Sequence, residues 1–338
     1  MKITEETTLE QFIREYGLQN RSYMIDPMQE IDINSPEDIT AAEAVRHITR
    51  GRNFAQLKLS EILCVLPDWK IPPIVKGLQF LAGRLEQEKV IYDIWEDERK
   101  QKTGLSAFCT GKKSRFVLIC PGGGYQNVCS IAEGFPMAME LDRLGYSSFV
   151  LQYRTAENGR QPAPQEDIAR AVRFILDHAD EFRVEKDGYA VMGFSAGGHL
   201  AASFGAESLG WKKYGLPRPA ALMLGYPVIT MGEKTHEGSR RMLLGAEHEN
   251  DEKLRRMYSI ELQVTDQYPP AYVWQCEADA AVPVDNSRMF VKALQDRKIP
   301  CEYELFPGSA HGWGLGTGTA SEGWTQRAVS FWEDRVRQ

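Results

Sequence analysis

Tyr189-Ala190-Val191-Met192-Gly193-Phe194-Ser195-Ala196-Gly197-Gly198-His199-Leu200-Ala201-Ala202 decides how this chain folds. Residues 189–192 read as a buried strand, Gly193-Phe194-Ser195-Ala196-Gly197 fits the pattern G-x-S-x-G, and small residues continue as a helix over 196–205. A serine on a tight strand-to-helix turn is forced out of the sheet with its Oγ exposed, and the flanking glycines leave room where side chains would collide. A strand that feeds a helix in this way is the repeating unit of a mostly parallel sheet covered on both faces.

The same texture extends in both directions. Upstream, residues 92–95 and 105–108 read as an antiparallel entry pair, followed by the buried strand 116–120, a helix over 135–144, a strand at 148–151 and a long helix over 168–182. Downstream come strands at 221–224 and 271–274, separated by a polar insertion from about residue 230 to residue 268. A helix at 288–294, a strand at 302–306 and a terminal helix ending near residue 336 complete the series. The fold class is α/β, with a mostly parallel central sheet flanked by helices over residues 90–338.

Residues 1–89 differ in style and read as a helical N-terminal extension. Ser35-Pro36-Glu37-Asp38 supplies an N-cap, a proline at the first helical position and an acid in the first turn, leading into a helix over 39–48. Helical patterns follow at 54–66 and 74–85, separated by the breaker Pro67-Asp68-Trp69-Lys70-Ile71-Pro72-Pro73. A cap over the site, an oligomerisation surface and a partner-binding module are the three roles open to it.

Composition narrows the function. The 338 residues are 43% hydrophobic and 26% charged, the ordinary balance of a globular protein, with a formal net charge of −7. Charges of both signs are interspersed, which argues against a nucleic-acid partner. No apolar run approaches a transmembrane helix, and the opening MKITEETTLEQF has no apolar core of a signal peptide. Six cysteines without a CxxC pair read as free thiols, so a cytoplasmic location is expected. No H-E-x-x-H and no Cys/His cluster at ligand spacing occurs, so neither metal nor cofactor is expected.

The constellation around Ser195 points to nucleophilic catalysis. Pro121-Gly122-Gly123-Gly124-Tyr125 follows the buried strand that ends at Cys120, the position of an oxyanion loop. There Gly123 and Gly124 can turn backbone N–H groups inward, with Ala196, the residue after the serine, supplying the other donor. A phosphate-cradling loop would need G-K-[ST] or G-x-G-x-x-G, and neither is present. The acid and then the base should follow the serine in chain order. Of six histidines, only His311 lies after a late strand in a glycine-rich loop, Pro307-Gly308-Ser309-Ala310-His311-Gly312. His199, one turn past the serine, reads as packing or bonding locally, and His236 and His248 fall in the polar insertion. For the acid, Asp279 sits in the loop after the strand at 271–274, with Glu277 a rival on spacing and Asp285 a weaker one.

These segments resemble the acetyl esterase/lipase and carbohydrate-esterase-like branch of the α/β-hydrolases, near xylan acetylesterases and feruloyl esterases. The likeness runs from about Tyr92 to the C terminus and rests on CPGGGY at 120–125, GYSSFVLQYR at 145–154, GFSAGGHLAA at 193–202, and Asp279-Ala280-Ala281-Val282-Pro283 followed by Phe306-Pro307-Gly308-Ser309-Ala310-His311-Gly312. It implies an α/β-hydrolase fold and makes the D-x-x-V-P aspartate, Asp279, the acid in preference to Glu277. It also implies removal of short acyl groups, acetyl first and feruloyl as the larger alternative, from a carbohydrate or similar alcohol. Pro121 stands where hormone-sensitive-lipase relatives carry histidine, which argues against close kinship with true lipases. The competing expectations are a serine peptidase on the same fold and, behind it, a non-catalytic binding protein. The expected partner is a small-molecule or oligosaccharide ester, with a homo-oligomer left open.

Overall fold

The computed structural model describes residues 1–29, 51–97, 100 and 102–337. Its centre is one eight-stranded sheet in the order β1-β2-β4-β3-β5-β6-β7-β8. The strands are β1 (Ile91–Tyr92), β2 (Gly104–Phe108), β3 (Phe116–Cys120), β4 (Ser147–Gln152), β5 (Ala190–Phe194), β6 (Ala221–Gly225), β7 (Ala271–Cys276) and β8 (Cys301–Phe306). β1 and β2 pair antiparallel, β2 runs antiparallel to β4, and every later pairing is parallel. The expected entry pair therefore forms, although β1 is shorter than residues 92–95 and begins one residue earlier.

Strand residues alternate between two cores, as a pleat with both faces covered requires. In β3, Phe116, Leu118 and Cys120 enter one core while Val117 and Ile119 enter the other. The first core is closed by α5 (Ala163–Asp177), α7 (Ser195–Gly205) and α10 (Asp285–Asp296). The second is closed by α2 (Ile71–Leu85), α4 (Phe135–Arg143) and α11 (Trp324–Val336), together with the N-terminal residues Leu9, Phe12, Leu57 and Ile62. α2 and α4 cross closely at Gly77, where a Cβ would lie 2.9 Å from Pro136.

Several expectations need correction. The pattern at 54–66 is two 3₁₀ turns, Phe54–Gln56 and Leu59–Cys64, and not one helix. Asn53 and Gln56 close a capping box around the first turn, and the extended backbone at Leu57 and Lys58 is held by the N terminus, with Leu59 N–H on the Thr7 carbonyl. The breaker at 67–73 does interrupt helical structure, over residues 65–70, but Pro72 and Pro73 belong to the first turn of α2, where a missing N–H costs no helical bond. A helix at Leu9–Glu15 (α1), capped by Thr8 and Gln11, belongs to the same layer. The expected helix at 39–48 and its cap at 35–38 lie outside the described residues. The long helix expected at 168–182 starts earlier and divides at His178 into α5 and α6 (Ala179–Phe182). The insertion at 230–268 folds into α8 (Glu237–Leu244), α9 (Glu252–Tyr258) and a 3₁₀ turn, and buries Met231, Leu243, Tyr258 and Ile260. Among the described residues no helix is long and apolar enough to cross a membrane.

Candidate active site

Ser195 is the first residue of α7, directly after β5, and its φ of 51° puts a non-glycine residue in the left-handed region. That strain is characteristic of a functional turn and needs surroundings that enforce it. They do so through close backbone contact: a Cβ on Gly197 would lie 2.2 Å from the carbonyl oxygens of Cys120 and Pro121. The serine turn is thereby pressed against the end of β3.

His311 Nε2 lies 2.9 Å from Ser195 Oγ, and His311 Nδ1 lies 2.8 Å from Asp279 Oδ2. A carboxylate only accepts, so Nδ1 carries the proton and Nε2 is left to accept from the serine hydroxyl. Asp279 is itself immobilised: Oδ1 accepts the N–H groups of Ala281 and Val282, each at 2.9 Å, and Oδ2 accepts from Gln275 Nε2. Of the rival acids, Glu277 is exposed, and Asp285 begins α10. The structure thus brings Ser195, His311 and Asp279 into one hydrogen-bonded chain from three distant segments.

Gly123 and Gly124, with φ of 128° and 67°, line the cavity beside Ser195, and Ala196 is buried in the first turn of α7, where helix N–H groups have no internal partner. Buried side chains clamp the glycine loop from behind. Tyr153 Oη donates to the Pro121 carbonyl at 2.7 Å, Gly122 N–H donates to Glu133 Oε2 at 2.6 Å, and Tyr125 Oη meets His199 Nδ1 at 2.7 Å. His199 Nε2 must donate to the Tyr258 carbonyl, also at 2.7 Å, so Nδ1 accepts from Tyr125. Complete burial pushes the His199 imidazole down to about 4. Its bonds join elements 59 and 74 residues away, so it does not act locally.

The cavity over Ser195 measures about 240 Å³, and its lining includes Leu66, Pro67, Asp68 and Trp69 as well as Gly124, His236 and Ala281. Asp68 Oδ2 accepts the His311 N–H at 3.0 Å, so the N-terminal region both walls the site and holds the histidine loop. His236 lies at the cavity, with burial lowering its pKa; its Nδ1 accepts from Ser239 N–H, which leaves the proton on Nε2.

Comparison with known proteins supplies the family. Residues 109–210 match the family described as BD-FAE. The crystal structure of an acetyl ester-xyloside bifunctional hydrolase from Caldicellulosiruptor lactoaceticus superimposes with a TM-score of 0.64 at 30% identity, over 72% of this chain and 95% of that one. This chain belongs to the carbohydrate-esterase-like branch of the α/β-hydrolases. Two curated relatives of this α/β-hydrolase are endo-1,4-beta-xylanase B of Butyrivibrio fibrisolvens, 40% identical over 62% of the chain, and the acetylxylan esterase of Xylanibacter ruminicola, 32% identical over 60%. The chain spans only 34% and 42% of those relatives' lengths. The BD-FAE match covers β3, the glycine loop and the serine turn, whereas Asp279 and His311 lie beyond it.

Sequence reading of this α/β-hydrolase missed Glu133, Tyr226, Asp68 and Trp69. Glu133 ends the short helix α3 (Ser130–Glu133), is 4% exposed, and accepts from Tyr226 Oη at 2.7 Å as well as from Gly122. Burial pushes its carboxyl above the usual range, while its two donors pull the other way. The one available signal was an acid inside an otherwise apolar stretch, Ile131-Ala132-Glu133-Gly134-Phe135, and that feature also fits a helix surface.

Proposed function

We propose that this protein is a serine-dependent carboxylic ester hydrolase that removes short acyl groups, acetyl first, from a carbohydrate or similar alcohol. The observation that carries the reading is the unbroken chain Ser195 Oγ, His311 Nε2, His311 Nδ1, Asp279 Oδ2, with spacings of 2.9 and 2.8 Å. In this reading Ser195 Oγ attacks the ester carbonyl while Nε2 takes its proton, and Asp279 holds the tautomer and stabilises the imidazolium without being protonated. The oxygen of the tetrahedral intermediate faces the N–H groups of Gly123, Gly124 and Ala196. Collapse expels the alcohol, which takes the proton from Nε2–H, and leaves an acyl-Ser195. Water, deprotonated by His311, then attacks the acyl carbon, and the acid is released as Ser195 Oγ leaves and takes back the proton from Nε2.

The small cavity favours a short acyl group, since pockets for drug-sized ligands measure roughly 300–1,000 Å³. Likeness to an acetylxylan esterase and to an acetyl ester-xyloside hydrolase favours a sugar alcohol. The six cysteines are unpaired, in keeping with a reducing compartment such as the cytoplasm. The reading makes the described part of the N-terminal extension a cap, supported by the wall at Leu66 to Trp69. A panel of acetylated and feruloylated saccharides with short and long nitrophenyl esters tests it. Turnover of acetyl esters by the wild type, abolished in Ser195→Ala, is expected; an inert wild type, or a Ser195→Ala variant of equal activity, refutes it.

A further inference from the structure

Glu133 is a buried carboxylate on the lining of the cavity that holds the nucleophile, and the mechanism above gives it nothing to do. Its surroundings are specific. Oε2 accepts the Gly122 N–H at 2.6 Å, Oε1 accepts the Tyr226 hydroxyl at 2.7 Å, and the Tyr226 oxygen in turn accepts the Gly314 N–H at 3.1 Å. Gly122 precedes the two glycines of the oxyanion loop, and Gly314 lies three residues after His311. The Tyr226 ring meets the His311 imidazole edge-on, with centroids 4.7 Å apart. The turn carrying it is fixed at the end of β6 by a 2.6 Å bond from Tyr226 N–H to the Trp274 carbonyl.

From this geometry we infer that Glu133, acting with Tyr226, is a positioning residue that ties the oxyanion loop to the loop bearing the general base. The inference rests on the esterase reading. Both donors to the carboxylate are identified by chemistry: a backbone N–H can only donate, and Tyr226 has its hydroxyl hydrogen free for Oε1 because Gly314 N–H already occupies a lone pair on its oxygen. Two oxygens are thus needed as acceptors at once, which a carboxylate supplies and an amide does not. The Gly122 peptide is wedged between this carboxylate and the nucleophile, since a Cβ at Gly122 would meet Ser195 Cβ at 2.8 Å and Glu133 Oε2 at 2.9 Å. Without Glu133 the Gly122 N–H is a buried donor with no acceptor, and rotating the peptide to relieve it moves the adjoining Gly123 and Gly124 amides away from the developing oxyanion. The loss therefore falls on the transition state and leaves ground-state binding in place.

The test compares the wild type with Glu133→Gln, Glu133→Ala, Tyr226→Phe and the double variant Glu133→Ala/Tyr226→Phe. Each is titrated with a fluorophosphonate so that kcat refers to competent sites only, and each is assayed on a nitrophenyl acetate and for inhibition by a trifluoromethyl ketone, whose hemiketal oxyanion mimics the intermediate. Glu133→Ala should lower kcat per titrated site by about 10²-fold, the loss typical of a disabled oxyanion donor. KM should stay within about twofold, and the ketone should weaken by the same factor as kcat/KM falls. Glu133→Gln, which keeps one acceptor and the shape, should recover part of the loss. The double variant should lose less than the product of the two single losses, because both act through one network. A purely structural role would lower the titre or the melting temperature and leave kcat per site and ketone affinity within twofold of wild type, overturning the inference. Should Glu133→Ala fail to fold, Glu133→Gln and Tyr226→Phe carry the same comparison. A wild type inert to both ester and probe would sink the esterase reading together with this one, so the two failures are separable.

Discussion

Asp279 keeps its backbone contacts and its histidine contact on different oxygens, and a single substitution can separate them. Its Oδ1 is saturated by the Ala281 and Val282 N–H groups, and its Oδ2 faces His311 Nδ1 and Gln275 Nε2. In Asp279→Asn the side-chain oxygen can keep the backbone pair while the amide turns a donor toward Nδ1, which forces the proton to Nε2 and leaves it unable to accept from Ser195. We expect kcat on a nitrophenyl acetate to fall by about 10⁴-fold, with the melting temperature little changed. Activity within tenfold of wild type would mean that the carboxylate does not set the tautomer. Glu277 is two residues away and exposed, so Glu277→Gln serves as the neutral comparison.

At the scale of elements, helix α7 is where catalysis and packing compete. Its first turn must meet the end of β3 at backbone distance, which explains why Gly197→Ala, harmless in most helices, is expected to cost about 3 kcal/mol here, at the upper end of overpacking. Urea unfolding would measure it, and a loss below about 0.5 kcal/mol would contradict the close approach. One turn later, His199 makes α7 sensitive to acid. Its folded pKa of about 4 lies below the unfolded value near 6.5, so its native form is the neutral one. Stability is therefore complete above about pH 6.5 and is lost as the unfolded chain takes up a proton on going down to about pH 4, a loss on the order of 3 kcal/mol. Replacing His199 with Gln should flatten the stability profile in this window. Unfolding curves at pH 7, 5.5 and 4.5 with unchanged slope in the variant would rule the histidine out as the cause.

Across the whole molecule, the N-terminal region and the catalytic loops are one construction. Leu66 to Trp69 precede Ser195 by more than a hundred residues, yet they form a wall of its cavity, and Trp69 is packed against Gly312, where a Cβ would come within 3.2 Å of the indole nitrogen. Trp69→Ala should therefore enlarge the site without touching Ser195, His311 or Asp279. The ratio of kcat/KM for butyryl over acetyl nitrophenyl esters is expected to rise by about tenfold, a usual return for added apolar room. An unchanged ratio would show that the wall does not limit acyl length.

What the sequence determined by itself is whatever short-range patterns encode: alternating strands and amphipathic helices, the glycines around Ser195, the loop at Gly122 to Gly124, and the order of serine, acid and histidine. Local sterics and hydrogen bonding dictate these, so residues 189–202 already specify a strand, a strained turn and a helix. The 54–66 stretch departs from the expected helix because its apolar spacing suits a helix while contacts with Thr7 and Thr8, far off along the chain, hold it in 3₁₀ turns. Only the tertiary structure decided that Asp68 would hold the histidine loop, that His199 would clamp Tyr125 and Tyr258, and that Glu133 and Tyr226 would join the two loops. Each of those bonds spans between 59 and 243 residues, apart from the contact of Glu133 with Gly122, and a partner chosen by three-dimensional proximity leaves no periodic trace along the chain.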